Sequence, residues 1–94
     1  MSFLLIKHKV KDYTAWKSVF DNFNEKRKSF GEKSYQILHV DGEPNHLILL
    51  FEWDSLDNAR TFMNSPDLKE AMQSAGVTEV PDFNFLEEAE RGTV

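Results

Sequence analysis

Residues 46 to 53, His-Leu-Ile-Leu-Leu-Phe-Glu-Trp, are apolar at nearly every position. The run is short and rich in side chains that favour extended backbone, so it reads as a strand. Leu47, Leu49, Phe51 and Trp53 then point one way and Ile48, Leu50 and Glu52 the other. Half-exposed strands alternate apolar with polar residues, so a strand apolar on both sides needs a cover on each. Any fold for this chain must supply two such layers.

The segments around it supply one of them. Residues 3 to 10 read as a strand with Leu4, Ile6, His8 and Val10 on the more buried face and Phe3, Leu5, Lys7 and Lys9 on the other. Asp12 is a suitable N-cap for a helix running to Gly31, along which Tyr13, Trp16, Val19, Phe20, Phe23 and Phe30 recur at helical spacing. Residues 34 to 40 form a strand joined to 46–53 through Asp41-Gly42-Glu43-Pro44-Asn45, whose Gly42 and Pro44 give the connection turn chemistry. Asp54 or Ser55 starts a short helix with Leu56, Ala59, Phe62 and Met63 inward. Ser65-Pro66 breaks it and caps a second helix that carries Leu68 and Met72 and closes at Gly76. After Pro81, residues 83 to 88 form the last strand, and from about Ala89 the tail is expected to fray.

The order β-α-β-β-α-β predicts an α+β fold of the ferredoxin-like type. Two right-handed split crossovers interleave into a four-stranded antiparallel sheet with the helices on one face. The other face would expose Phe3, Leu5, Ile48 and Leu50, a larger apolar patch than a soluble monomer usually shows. A second copy packed sheet to sheet would cover it, so a homodimer through the open face is expected. The length of 94 residues suits one domain, 1–94.

Composition narrows the partners. A net charge of -5 opposes binding to phosphate backbones, so nucleic acid is not expected. The basic run Lys26-Arg27-Lys28 reads as cations favoured at the end of a helix. No apolar run approaches the ~20 residues of a membrane span, and no secretory signal precedes the first strand. A cytoplasmic chain without membrane contact is the expectation. Cysteine is absent, which removes disulfides, thiolate metal sites and a Cys nucleophile.

The stretch Phe51-Glu52-Trp53-Asp54-Ser55-Leu56-Asp57-Asn58-Ala59, followed by Ser65-Pro66, resembles the strand-helix signature of antibiotic biosynthesis monooxygenase-like domains. The likeness in element order extends over roughly residues 3 to 88. It implies membership of the dimeric α/β-barrel superfamily. That superfamily includes cofactor-free oxygenases acting on polycyclic aromatics, haem-degrading enzymes, isomerases and polyketide cyclases, all with a pocket between helices and sheet. In the family pattern a histidine often stands three residues before the Ser-Pro and another straight after it. Here those positions are Phe62 and Asp67, so neither haem ligation nor chemistry that needs those histidines is implied.

Several residues are candidates for chemistry. His8 interrupts an apolar strand face directed at the helices, where an imidazole would serve as a general base near neutral pH; the plainer reading is a hydrogen-bonded core histidine. Glu52 would be an acid or base if it faced the pocket, but its alternation puts it on the open face, paired with Lys7 or Lys9. Trp16, Phe20, Tyr35, His39, Phe51 and Phe62 are the candidate lining for a flat, apolar aromatic ligand, or simply core. His46, across the turn from His39, is expected to face water. The three histidines lack the paired spacing of a zinc site, and no glycine-rich phosphate loop is present, so neither a metal nor another cofactor is expected. The function that the resemblance implies, taken with these residues, is a small enzyme like the cofactor-independent monooxygenases or cyclases, acting on an aromatic or polyketide-like molecule. The alternative is a module that only binds a ligand or dimerises.

Overall fold

The computed structural model describes residues 2–77 and 81–94. The strands are β1 (Ser2–Lys9), β2 (Glu32–Val40), β3 (Glu43–Trp53) and β4 (Asp82–Glu87). The helices are α1 (Tyr13–Asn22), α2 (Asn24–Phe30), α3 (Leu56–Met63) and α4 (Pro66–Ser74). The strands form one sheet in the order β2-β3-β1-β4, with every neighbouring pair antiparallel. This is the α+β, ferredoxin-like arrangement, with each helical crossover split in two.

Register decides what faces the helices. Leu4 lies opposite Phe51, Ile6 opposite Leu49 and His8 opposite Leu47. These residues and Trp53 are buried, together with Trp16, Phe20, Ala59, Phe62 and Leu68 from the helices. The opposite face carries cross-strand rows. Leu38, Ile48, Lys7 and Asp82 form one, Gln36, Leu50, Leu5 and Asn84 the next, and Ser34, Glu52, Phe3 and Leu86 the third. No helix packs on that face, so the second cover demanded by β3 is not supplied by the described residues of the chain itself.

A side-chain cap starts three of the four helices, α1, α3 and α4. Asp12 accepts from the Ala15 N–H at 2.9 Å, Ser55 from Asn58 at 3.1 Å and Ser65 from Leu68 at 3.2 Å, each satisfying an orphan donor of a first turn. Two boundaries differ from expectation. The first helix is not continuous to Gly31: Phe23 has φ -90° and ψ 0°, and its N–H reaches both Val19 and Phe20 carbonyls. The bend lets Phe23 and Phe30 both reach the Phe62 ring, at 6.0 and 5.5 Å. The hairpin is also tighter than a five-residue loop. Only Asp41 and Gly42 separate the strands, with Gly42 at φ +80°. Pro44, which has no N–H for a ladder, falls where the β2–β3 register shifts between His39 and Val40.

Gly31 links α2 to β2 at φ +121°, and its carbonyl accepts from the Asp54 N–H at 3.0 Å. A Cβ added there would lie 2.4 Å from Asp54 Oδ1. That oxygen is itself held by Asn58 Nδ2 at 2.9 Å. Gly31→Ala is therefore expected to cost roughly 1–3 kcal/mol from backbone strain alone, before the carboxylate is displaced. Urea denaturation checks this, and an unchanged midpoint would show that the junction relaxes freely.

Candidate functional site

Between the sheet and the helices lies a cavity of about 60 Å3. Its sheet wall is Ile6, His8, Leu49 and Phe51, and its helical wall comprises Trp16, Val19 and Phe20 of α1, Phe23 at the bend, Arg27 of α2 and Phe62 of α3. Leu68, Ala71, Met72 and Ala75 from the α4 side close it. The space is well below the roughly 300–1,000 Å3 of ordinary ligand pockets, so a ring-sized ligand must widen it. Met72, unbranched and readily repacked, lines it from the α4 side. Val19, Phe23 and Ala71 also line an adjoining surface groove, along which Lys26 pairs with Asp67 at 2.9 Å.

The aromatic wall is continuous. His8 meets Trp16 edge-on at 5.8 Å, Trp16 stacks on Phe20 at 4.9 Å, and the Arg27 guanidinium sits 3.7 Å over the Phe20 ring. One polar group thus ends the wall on each side. His8 is only 6% exposed, and neither of its ring nitrogens has a hydrogen-bond partner. Burial lowers its pKa from 6.5 to about 4, which keeps the imidazole neutral at pH 7.

Arg27 is more deeply buried still, at 2% exposure. Its Nη1 donates to the Phe20 carbonyl at 2.6 Å, its Nη2 to Asn24 Oδ1 at 3.2 Å and its Nε to Glu32 Oε2 at 3.1 Å. Glu32 Oε1 has no partner. Burial raises the Glu32 pKa, opposed by the charge and hydrogen bond of Arg27. The reading of Lys26-Arg27-Lys28 as a plain set of helix-end cations therefore fails for Arg27, which belongs to the interior.

The structure brings His8, Trp16, Phe20, Phe51 and Phe62 together around the cavity and leaves the other sequence candidates outside it. Tyr35 packs edge-on against Phe20 at 5.0 Å but is 43% exposed, on the edge strand β2. His39 shares the face of His8, with Leu47 of β3 between them, and its exposed ring has Nδ1 3.0 Å from the Val40 carbonyl oxygen. Two strand spacings, about 10 Å, separate its backbone from that of His8. Glu52 lies on the open face, as its alternation requires, but the Ser34 hydroxyl donates to it at 3.1 Å. The expected lysine partner is displaced by register, which sets Lys7 opposite Ile48 and Lys9 opposite His46. His46 is half-buried, with Nδ1 3.5 Å from Glu43. Among the described residues no helix is long and apolar enough to cross a membrane.

No family model matches the sequence, and neither does any curated protein. Solved structures do. A protein from Bordetella bronchiseptica provisionally named an antibiotic biosynthesis monooxygenase superposes with a TM-score of 0.75 at 14% identity, covering 95% of this chain and 98% of that one. A similarly named protein from Caulobacter crescentus gives 0.73 at 19% identity, covering 95% and 90%. SnoaB, a cofactor-independent oxygenase from Streptomyces nogalater, gives 0.70 at 12% identity, covering 96% and 94%. Over nearly its whole length the chain has the fold of the antibiotic biosynthesis monooxygenase proteins.

Proposed function

We propose that this protein is an enzyme like the cofactor-independent oxygenases or cyclases, acting on an aromatic or polyketide-like molecule held between Trp16, Phe20 and Phe51, with His8 as proton acceptor. The observation that carries the reading is the pair of unpartnered ring nitrogens on a buried His8 in the cavity wall. Leaving a buried polar group unpaired costs roughly 1–3 kcal/mol, so a bound hydroxyl or carbonyl is the partner that makes sense of it. The neutral imidazole accepts the substrate proton, and the anion left behind lies in a dry, aromatic site close to the resulting imidazolium. The likeness in fold to SnoaB supports oxygen as co-substrate.

The working unit in this reading is a cytoplasmic homodimer. The rows Gln36-Leu50-Leu5-Asn84 and Leu38-Ile48-Lys7-Asp82 of one copy would pack on those of the other, giving β3 its second cover. A binding-only role is favoured by a different observation, the lack of a carboxylate among the described residues that line the cavity with His8: Glu52 is on the far face. Oxygen uptake and product formation with a panel of polycyclic phenols and 1,3-diketones separate the two. His8→Gln is expected to lower turnover by about two orders of magnitude or more, the usual contribution of a positioned base, with the dimer intact. Unchanged turnover in the variant would remove His8 from the mechanism, and tight binding with neither oxygen uptake nor conversion of the ligand would favour the binding-only role.

A further inference from the structure

Apart from His8 and Arg27, every described residue lining the cavity is apolar. Neither of these two presents a negative charge. His8 is held neutral by burial, and the guanidinium is always ionised. Among the described residues, the only full charge facing the cavity is therefore positive. Its counter-ion, Glu32, approaches at Nε and is not part of the lining. Three of the five guanidinium N–H groups are engaged, by Phe20, Asn24 and Glu32, which leaves two donors. The Phe20 ring carries one face of the guanidinium, so the aromatic wall runs straight from a flat apolar surface into a cation.

We propose that the cavity selects a small aromatic monoanion, an aromatic carboxylate being the simplest case, with its charge on Arg27, its ring against Trp16 and Phe20, and any further polar group meeting His8. This deepens the reading of the cavity as a ligand site and rests on it. An anion arriving on the cavity side competes with Glu32 for one guanidinium. Glu32 is the weaker competitor: burial already disfavours its ionised form, and Oε1 has no partner. Anion binding therefore drives a proton onto Glu32, and the pair changes from an ion pair to a cation serving the ligand. Besides Arg27, the charged and titratable groups around Glu32 are Lys28 of α2 and Lys33 and Tyr35 of β2, which line a groove on its outer side together with Asn24 and Ser34. Trp53 stands opposite it on β3. None of these lines the cavity.

Calorimetric titration with benzoate, benzamide and benzyl alcohol tests this, in buffers of differing ionisation heat. Charge-assisted hydrogen bonds predict benzoate at least about tenfold tighter than benzamide, with proton uptake seen as a buffer-dependent heat. In Glu32→Gln benzoate should bind more tightly and the proton uptake should vanish. In Arg27→Lys, which keeps the charge but loses the planar fork, benzoate should weaken at least about fivefold while benzamide is unchanged. If Glu32→Gln does not fold, proton uptake by the unaltered protein still decides. Benzamide or benzyl alcohol binding as tightly as benzoate, or benzoate binding without proton uptake, would overturn the anion assignment while the cavity stands as a ligand site. If none of the three probes binds, the cavity reading falls as well.

Discussion

Replacing His8 with leucine is expected to stabilise the protein, most of all in acid, and, on the proposed function, to abolish turnover. The folded chain holds His8 neutral down to about pH 4, whereas the unfolded chain protonates it near the ordinary value of 6.5. As pH falls through that window the unfolded state takes up the proton first, so stability is lost from about 6.5 down to about 4 and no further below. The shift corresponds to roughly 3 kcal/mol at the acid end. Leucine removes this penalty and also the two unpartnered nitrogens, a further gain of about 1–3 kcal/mol at any pH. Glu32 works in the opposite sense: its raised pKa favours the folded state in acid, and that contribution fades as pH rises. The difference between wild type and variant is therefore the quantity to follow. Urea midpoints measured at neutral pH and near pH 4 should diverge in favour of His8→Leu, and parallel losses in both proteins would contradict the burial of a neutral imidazole. Gain in stability with loss of turnover is the pattern expected where a strained polar group serves function.

Arg27→Met is expected to be the most damaging single change, costing about 3–5 kcal/mol, because it leaves Glu32 buried without its cation. It also removes the donor to the Phe20 carbonyl at the end of α1. Glu32→Leu alone strands the guanidinium in the same way. The double variant Arg27→Met/Glu32→Leu has no buried charge left and should recover most of the loss, so the two effects are strongly non-additive. A thermodynamic cycle from urea denaturation measures the coupling, and simple additivity would show that the pair is not linked as the 3.1 Å contact implies.

These effects explain which parts of the site were legible in the sequence. Strand alternation at Leu4, Ile6 and His8, and at Leu47, Leu49, Phe51 and Trp53, gave their facing directly, because one face of each strand is packed by helices. The break in the first helix left no such mark. No proline or glycine announces it, and Phe23 departs from helical geometry only slightly. Arg27 was read by its charge and its neighbours Lys26 and Lys28. Yet Tyr13, Trp16, Phe20, Phe23, Arg27 and Phe30 follow one 3-4-3-4-3 spacing. A cation on an apolar stripe, five residues before a glutamate across a glycine turn, is the signal that was available. Tyr35 and His39, named as lining by residue type, do share the face of Phe51 and Leu47, but a face has edges. β2 ends the sheet, and the cavity sits over β1 and β3. The unpaired state of His8 and of Glu32 Oε1 depends on what other elements bring near them, which no local pattern carries.

In the proposed function the space beside His8 holds a flat aromatic molecule in a dimeric protein. Native mass spectrometry of the protein taken directly from cells tests it in one measurement. The predicted result is a dimer carrying one small aromatic molecule per chain, lost in His8→Leu. A monomer, or a dimer free of any small molecule, would contradict the claim.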